Sequence, residues 1–148
     1  MTTTKAVYLE DVEIGDEVPT QERQVNMEDV RSFLLVWHGP QGLEQPDRFN
    51  SEEQARKERL PGPIVPGIMS MALISRMITD WSPTVQLKSI DVIFRQVVSQ
   101  GTEIKLYGVV TDKNEEREEV EVDLYLEPLE GQPFVRGKAV LGLPSRGD

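Results

Sequence analysis

The chain has 148 residues, with 26 acidic and 16 basic side chains and a formal net charge of -10. That length supports one domain with a real core, and the acidity excludes a broad basic surface for nucleic acid. With no cysteine and one histidine, disulfides, a thiol nucleophile and a multi-histidine zinc site are excluded, and no cofactor is expected. Ser70, Ser75 and Arg76 interrupt the best apolar run, so no membrane span is expected. The opening MTTTK lacks the apolar stretch of a secretion signal. The default is a cytoplasmic protein.

Residues 6–18, AVYLEDVEIGDEV, give a short apolar entry and a Gly-Asp turn. Thr20 to Val25 suits a strand. Asn26, three residues before Asp29, has the spacing of a helix cap. Met27 to Trp37 then reads as a helix with Val30, Phe33, Leu34 and Trp37 on one face, stopped by His38, Gly39 and Pro40. Gln41 to Phe49 is a polar loop. A second capping pair, Asn50 and Glu53, opens a short exposed helix over Ser51 to Arg59, with Ala55 as its inward residue.

The most informative stretch is LPGPIVPGIMSMALISRMI, Leu60 to Ile78. Proline and glycine turn the chain sharply before a helix from Gly67 to Trp81, closed by Pro83. That helix is apolar nearly all round, so it requires burial on most sides. Its amino end presents free backbone N–H groups to a cavity.

The second half changes period. Val85, Leu87, Ile90, Val92 and Phe94 predict a long strand with a slip near Ser89. Ile104–Leu106–Gly108–Val110, Val120–Val122–Leu124–Leu126 and Val135–Gly137–Ala139–Leu141 each alternate. Gly101, Asp112 to Glu116, and Glu130-Gly131 separate them as turns. Four long strands in a row favour an antiparallel sheet that wraps the helix and leaves its other face wet. No repeat or linker marks a second domain, so residues 1–148 form one.

In this order, the segments resemble the MaoC-like dehydratase, or R-specific enoyl-CoA hydratase, family. The likeness centres on GPIVPGIM and extends through DVEIGDEV, VNMEDVRSF, SEEQAR, IDVIFRQVVSQGTEIKLYGVV and FVRGKAVLGLP, about Asp11 to Pro144. It implies an α+β hotdog fold, a curved antiparallel sheet around a central helix. It also implies an acyl thioester substrate, on coenzyme A or a carrier protein, and a homodimer or heterodimer of hotdog subunits with sheets joined edge to edge. The family reaction adds water to an enoyl thioester or removes it from a 3-hydroxyacyl thioester. It uses an aspartate, a histidine five residues later, and a backbone N–H at the start of the central helix.

This chain departs from the pattern at that pair. Counting back from Ala55, Phe49 occupies the histidine place and Glu44 the aspartate place, while Pro66 replaces the histidine usual before the helix glycine. A gap in the loop would instead bring His38 or Asp47 near the site. Glu44 and Asp47 are candidate acid–base residues, or solvent-facing charges that Arg48 ties down. His38 is a candidate base, or a residue favoured by the helix end. Gly67 is the candidate donor to the thioester oxygen, or a glycine required for space.

Phe49, Val65, Pro66 and Ile68 are assigned to the acyl site, where the bland reading is core packing. Arg95 is assigned to a coenzyme phosphate, or to an ordinary salt bridge. Ser70 is expected to bond within its helix, and no relay supports it as a nucleophile. The closing RGD, 146 to 148, is read as a terminus and not as an adhesion motif. Two functions follow: a divergent hydratase or dehydratase, or a partner subunit that shapes a relative's site without chemistry of its own. A hotdog thioesterase is a third.

Overall fold

The computed structural model describes residues 5–147; Met1 to Thr4, most of the opening MTTTK, and Asp148 of the RGD lie outside the described residues. Seven strands and three α-helices occur in the order β1 (Glu17–Gln24), α1 (Met27–His38), α2 (Glu52–Lys57), β2 (Ile64–Val65), α3 (Gly67–Trp81), β3 (Gln86–Phe94), β4 (Val98–Ser99), β5 (Glu103–Asn114), β6 (Glu119–Pro128) and β7 (Val135–Gly142). A five-stranded antiparallel sheet has the order β1-β5-β6-β7-β3, and β2 pairs with β4 in a separate two-stranded ribbon. This central helix on a long antiparallel sheet is the α+β hotdog arrangement.

Alternation builds the core. Ile104, Leu106 and Val110 of β5, Val120 to Leu126 of β6, and Val135, Ala139 and Leu141 of β7 turn inward and are buried. The slip expected near Ser89 is real: the β3–β7 register shifts between Leu87 and Ser89. One inward row crosses the whole sheet as Val18, Gly108, Leu124, Gly137 and Val92. α3 lies on this face and touches β1, β3, β5 and β6.

α3 buries Met69, Ser70, Ile74, Met77 and Ile78. Ile68, Ala72, Arg76, Thr79 and Asp80 remain exposed. The expectation of burial on most sides is therefore corrected: one sheet covers one broad face. Ser82, extended at φ -161, ends the helix and accepts a hydrogen bond from the Val7 N–H at 2.8 Å.

Several local readings change. β1 begins at Glu17, three residues before the expected start. α2 is capped by Ser51, whose hydroxyl accepts from the Gln54 N–H at 3.2 Å, and not by Asn50. The loop after α1 contains a 3-10 turn, Gly39–Leu43, and Gly39 adopts the left-handed φ of 74. β5 continues to Asn114, so the turn falls at Glu115–Glu118 and not at Asp112 to Glu116. Trp37 is 43% exposed and does not anchor α1; Val30 and Leu34 do, both fully buried.

Candidate functional site

The site begins with how the chain enters α3. The Pro66 carbonyl accepts from the Met69 and Ser70 N–H groups at 3.0 and 3.1 Å. The N–H groups of Gly67 and Ile68 precede this first closed turn. Among the described residues they donate to no acceptor. A helix start in this state carries partial positive charge and two donors.

A cavity of about 240 Å³ opens beside it, lined by Ile64, Val65, Gly67, Ser70, Phe94, Arg95, Gln96, Val97, Val98 and Val135. Three elements fix its walls. The β2–β4 ribbon supplies Ile64, Val65 and Val98. The end of β3 supplies Phe94, whose ring atoms lie 3.3 Å from where a Gly67 Cβ would stand. The turn after β3 is held by the Phe134 carbonyl, which accepts from the Arg95 and Gln96 N–H groups at 2.8 and 3.2 Å.

Gln100 is the bolt of this region. Its side-chain amide donates to the Phe49 carbonyl at 2.7 Å and to the Ile64 carbonyl at 3.0 Å, and its own N–H donates to Pro63 O at 3.0 Å. The loop carrying Phe49 is thereby tied to the strand leading into α3. Nothing in the hydrophobic pattern marks Gln100, because its role is to bond two carbonyls far apart in sequence.

Of the residues assigned from sequence, Val65, Gly67 and Arg95 come together in the cavity wall. Pro66 is buried and stands as the residue before the helix. Ile68 is 45% exposed on the outer side of α3. Phe49 is half-buried and packs on the core, with the Arg48 guanidinium 5.3 Å from its ring centre. None of these three lines the cavity wall.

The polar candidates stand apart. His38 is exposed at the end of α1 and stacks on Trp37 at 4.1 Å. Glu44 is exposed, and its N–H closes the 3-10 turn onto Gln41 O at 3.2 Å. Asp47 Oδ1 accepts from the Phe49 and Asn50 N–H groups at 2.8 and 2.9 Å, while Asn50 Oδ1 accepts from the Asp47 N–H at 2.9 Å. Asp47 therefore shapes a turn that presents Phe49. Arg48 pairs with Glu58 at 3.4 Å, not with Glu44 or Asp47.

Arg95 also borders a second depression of about 400 Å³ on the outer sheet face, with Asp91, Ile93, Asp123, Tyr125, Arg136 and Lys138 among its lining. Its cations are offset by two carboxylates, so it is no polyanion cradle. No group of three or more His, Asp or Glu that could hold a metal ion occurs among the described residues, and no described helix is long and apolar enough to cross a membrane.

Sequence reasoning missed Ser70 as a cavity residue. The expected bond within its helix is absent among the described residues, whereas Ser75, one turn on, donates to Met71 O at 2.9 Å. The usable signal was spacing: Ser70 is three residues after Gly67, on the same helix face.

This assembly is that of a known class. The model of the MaoC like domain matches residues 50–131, more than half of the chain, and the chain belongs to that family. Solved structures agree on the fold. The R-hydratase PhaJ1 from Pseudomonas aeruginosa superposes with a TM-score of 0.83 at 20% identity, over 95% of this chain and 88% of that one. The ChsH1-ChsH2 complex from Mycobacterium tuberculosis gives 0.77 at 19%, over 88% and 98%. The C-terminally truncated HadBC complex, a 3R-hydroxyacyl-ACP dehydratase from Mycobacterium tuberculosis, gives 0.65 at 14%, over 86% and 96%. No curated protein matches the chain.

Proposed function

We propose that the chain binds an acyl thioester of coenzyme A or a carrier protein at the start of α3, as a subunit of a hydratase or dehydratase. The observation that carries the reading is the pair of free N–H groups at Gly67 and Ile68 beside a largely apolar cavity. In hydration, water gives up one proton to a base as its oxygen bonds to C3 of the enoyl group. The double-bond electrons move onto the thioester oxygen, and C2 then takes a proton. The charge that develops on that oxygen needs preorganised donors. Gly67 and Ile68 supply them from the backbone. Val65, Val98 and Val135 offer an apolar wall for the acyl chain.

The proton-transfer groups decide between two forms. Among the cavity-lining residues the only ionisable side chain is Arg95. This supports the partner-subunit form, in which a second hotdog chain carries the acid and base. The heteromeric ChsH1-ChsH2 and HadBC assemblies are precedents for such a fold in a complex. The edge of β3 and the exposed Ile93, Phe94 and Val97 beside it offer the surface for pairing. The second form is a chain active by itself through Glu44, with Asp47 or His38. The exposed Glu44 carboxylate, engaged in no ion pair among the described residues, favours Glu44 within it.

The test mixes purified chain with a crotonyl thioester and follows loss of the enoyl absorbance. The partner-subunit form expects binding without turnover. It also expects binding to fall about tenfold in Gly67→Ala, because the added methyl stands against Phe94 at the mouth of the donors. Turnover by the chain alone, lost in Glu44→Gln, would select the second form. Asp47→Asn keeps an acceptor oxygen for the turn and isolates the loss of charge. No binding at all would overturn the thioester reading.

A further inference from the structure

We propose that the Ser70 hydroxyl is a third donor to the thioester oxygen, working beside the Gly67 and Ile68 N–H groups; this rests on the thioester reading above. Ser70 is one of two buried polar residues among those described, at 2% exposure, and it lines the cavity. Its hydroxyl has no hydrogen-bond partner among the described residues. Ser82, the other, is fully engaged: its oxygen accepts from the Val7 and Thr84 N–H groups and shares a hydrogen with the Thr84 hydroxyl. Among the described residues the one sealed side-chain polar atom without a partner is Asp123 Oδ1, so the Ser70 oxygen is open to the cavity it lines and free to meet a ligand there.

The geometry assigns that work. Helical side chains lean toward the amino end, so Ser70 projects over the turn that begins at Gly67. Glycine at 67 leaves no side chain between the hydroxyl and the free N–H groups. Phe94 closes the other side, 3.3 Å from the position of a Gly67 Cβ. An oxygen resting on the helix start therefore meets two backbone donors and one rotatable hydroxyl. The hydroxyl can turn its hydrogen toward that oxygen without moving the backbone, because it breaks no protein bond to do so.

A loss of binding with little change in stability makes the test specific. Ser70→Ala removes an oxygen that opens onto the cavity and slightly improves helix propensity. The free protein should melt within about 2 °C of the wild type. Its affinity for crotonyl-coenzyme A should fall roughly five- to tenfold, the worth of one neutral hydrogen bond. The carbonyl stretch of bound, 13C-labelled crotonyl thioester should move back toward its value in water. Ser70→Thr keeps the donor and should restore the band position. If the wild-type chain binds and Ser70→Ala binds equally well with an unmoved carbonyl band, the Ser70 assignment falls while the thioester reading stands. If the wild-type chain binds no thioester, both fall.

Discussion

At the amino end of α3 the useful polarity comes from backbone N–H groups and one hydroxyl, with no carboxylate in the cavity wall. Replacing a side chain there changes the shape of the approach more than its charge, which is why Gly67 and Ser70 are the informative positions. Charge matters on the outer face, at Tyr107. Its phenol donates to Glu127 Oε2 at 3.1 Å and stacks on Tyr125 at 4.8 Å. Burial, then the neighbouring Glu127 charge, pushes its pKa up to about 12. The folded state thus favours the neutral phenol. The stabilisation is complete below the ordinary phenol value of about 10 and is lost as pH rises through about 12. An alkaline absorbance titration should show one tyrosine ionising well after the ordinary range. Glu127→Gln should bring it earlier while leaving the burial contribution. An unchanged titration in that variant would remove Glu127 as a cause.

The elements that shape the cavity meet at close quarters. β7 and β3 approach so tightly at Gly137 that an added Cβ would stand 2.7 Å from Val92 Cγ1 and press on the Asp91 carbonyl. Backbone cannot yield as a long side chain can. Gly137→Ala should therefore destabilise the fold by about 1–3 kcal/mol. Urea unfolding monitored by far-ultraviolet circular dichroism measures the loss. Because β3 carries Phe94 into the cavity wall, thioester binding should weaken as well. The loop before α2 is a second such element. Asp47 and Asn50 bond each other's backbone, and Gln100 holds Phe49 from the far side. Three side chains thus fix a segment that has no hydrophobic period of its own.

The five-stranded sheet has two edges, β1 and β3, and β3 is the one that carries exposed apolar side chains at its end. An unpaired strand with exposed apolar neighbours is a site for pairing with another chain. Ile93 is 56% exposed on it and Val97, just beyond, 47%. If two copies of β3 pair about a two-fold axis, each residue of the interface is presented twice. Ile93→Glu then places like charges close together, where they repel. Sedimentation velocity should show the wild-type chain as a dimer, or as a heterodimer with its partner, and the variant shifted toward monomer. A monomer in both cases would reject the edge as an interface. If the edge pairs in this way, the net charge of -10 should make that dimer more stable in salt than in dilute buffer.

Sequence alone determined the framework because periodicity is local. Alternating valines and leucines placed β5, β6 and β7, and the spacing around Ser89 placed the bulge in β3. Gly-Pro punctuation placed the start of α3, and the order of segments carried the family resemblance. The tertiary structure decided what depends on residues distant in the chain. It put the β2–β4 ribbon beside the start of α3 in one cavity wall, used Gln100 to bind the Phe49 loop to Ile64, and turned the Asp47 carboxylate to the backbone of Phe49 and Asn50. It also left the Ser70 hydroxyl in the cavity without a partner. Hydrophobic period reports which side of an element faces the core. Hydrogen-bond partners many residues away leave no such period, so only the folded chain reveals which polar groups are already engaged and which are free for a ligand.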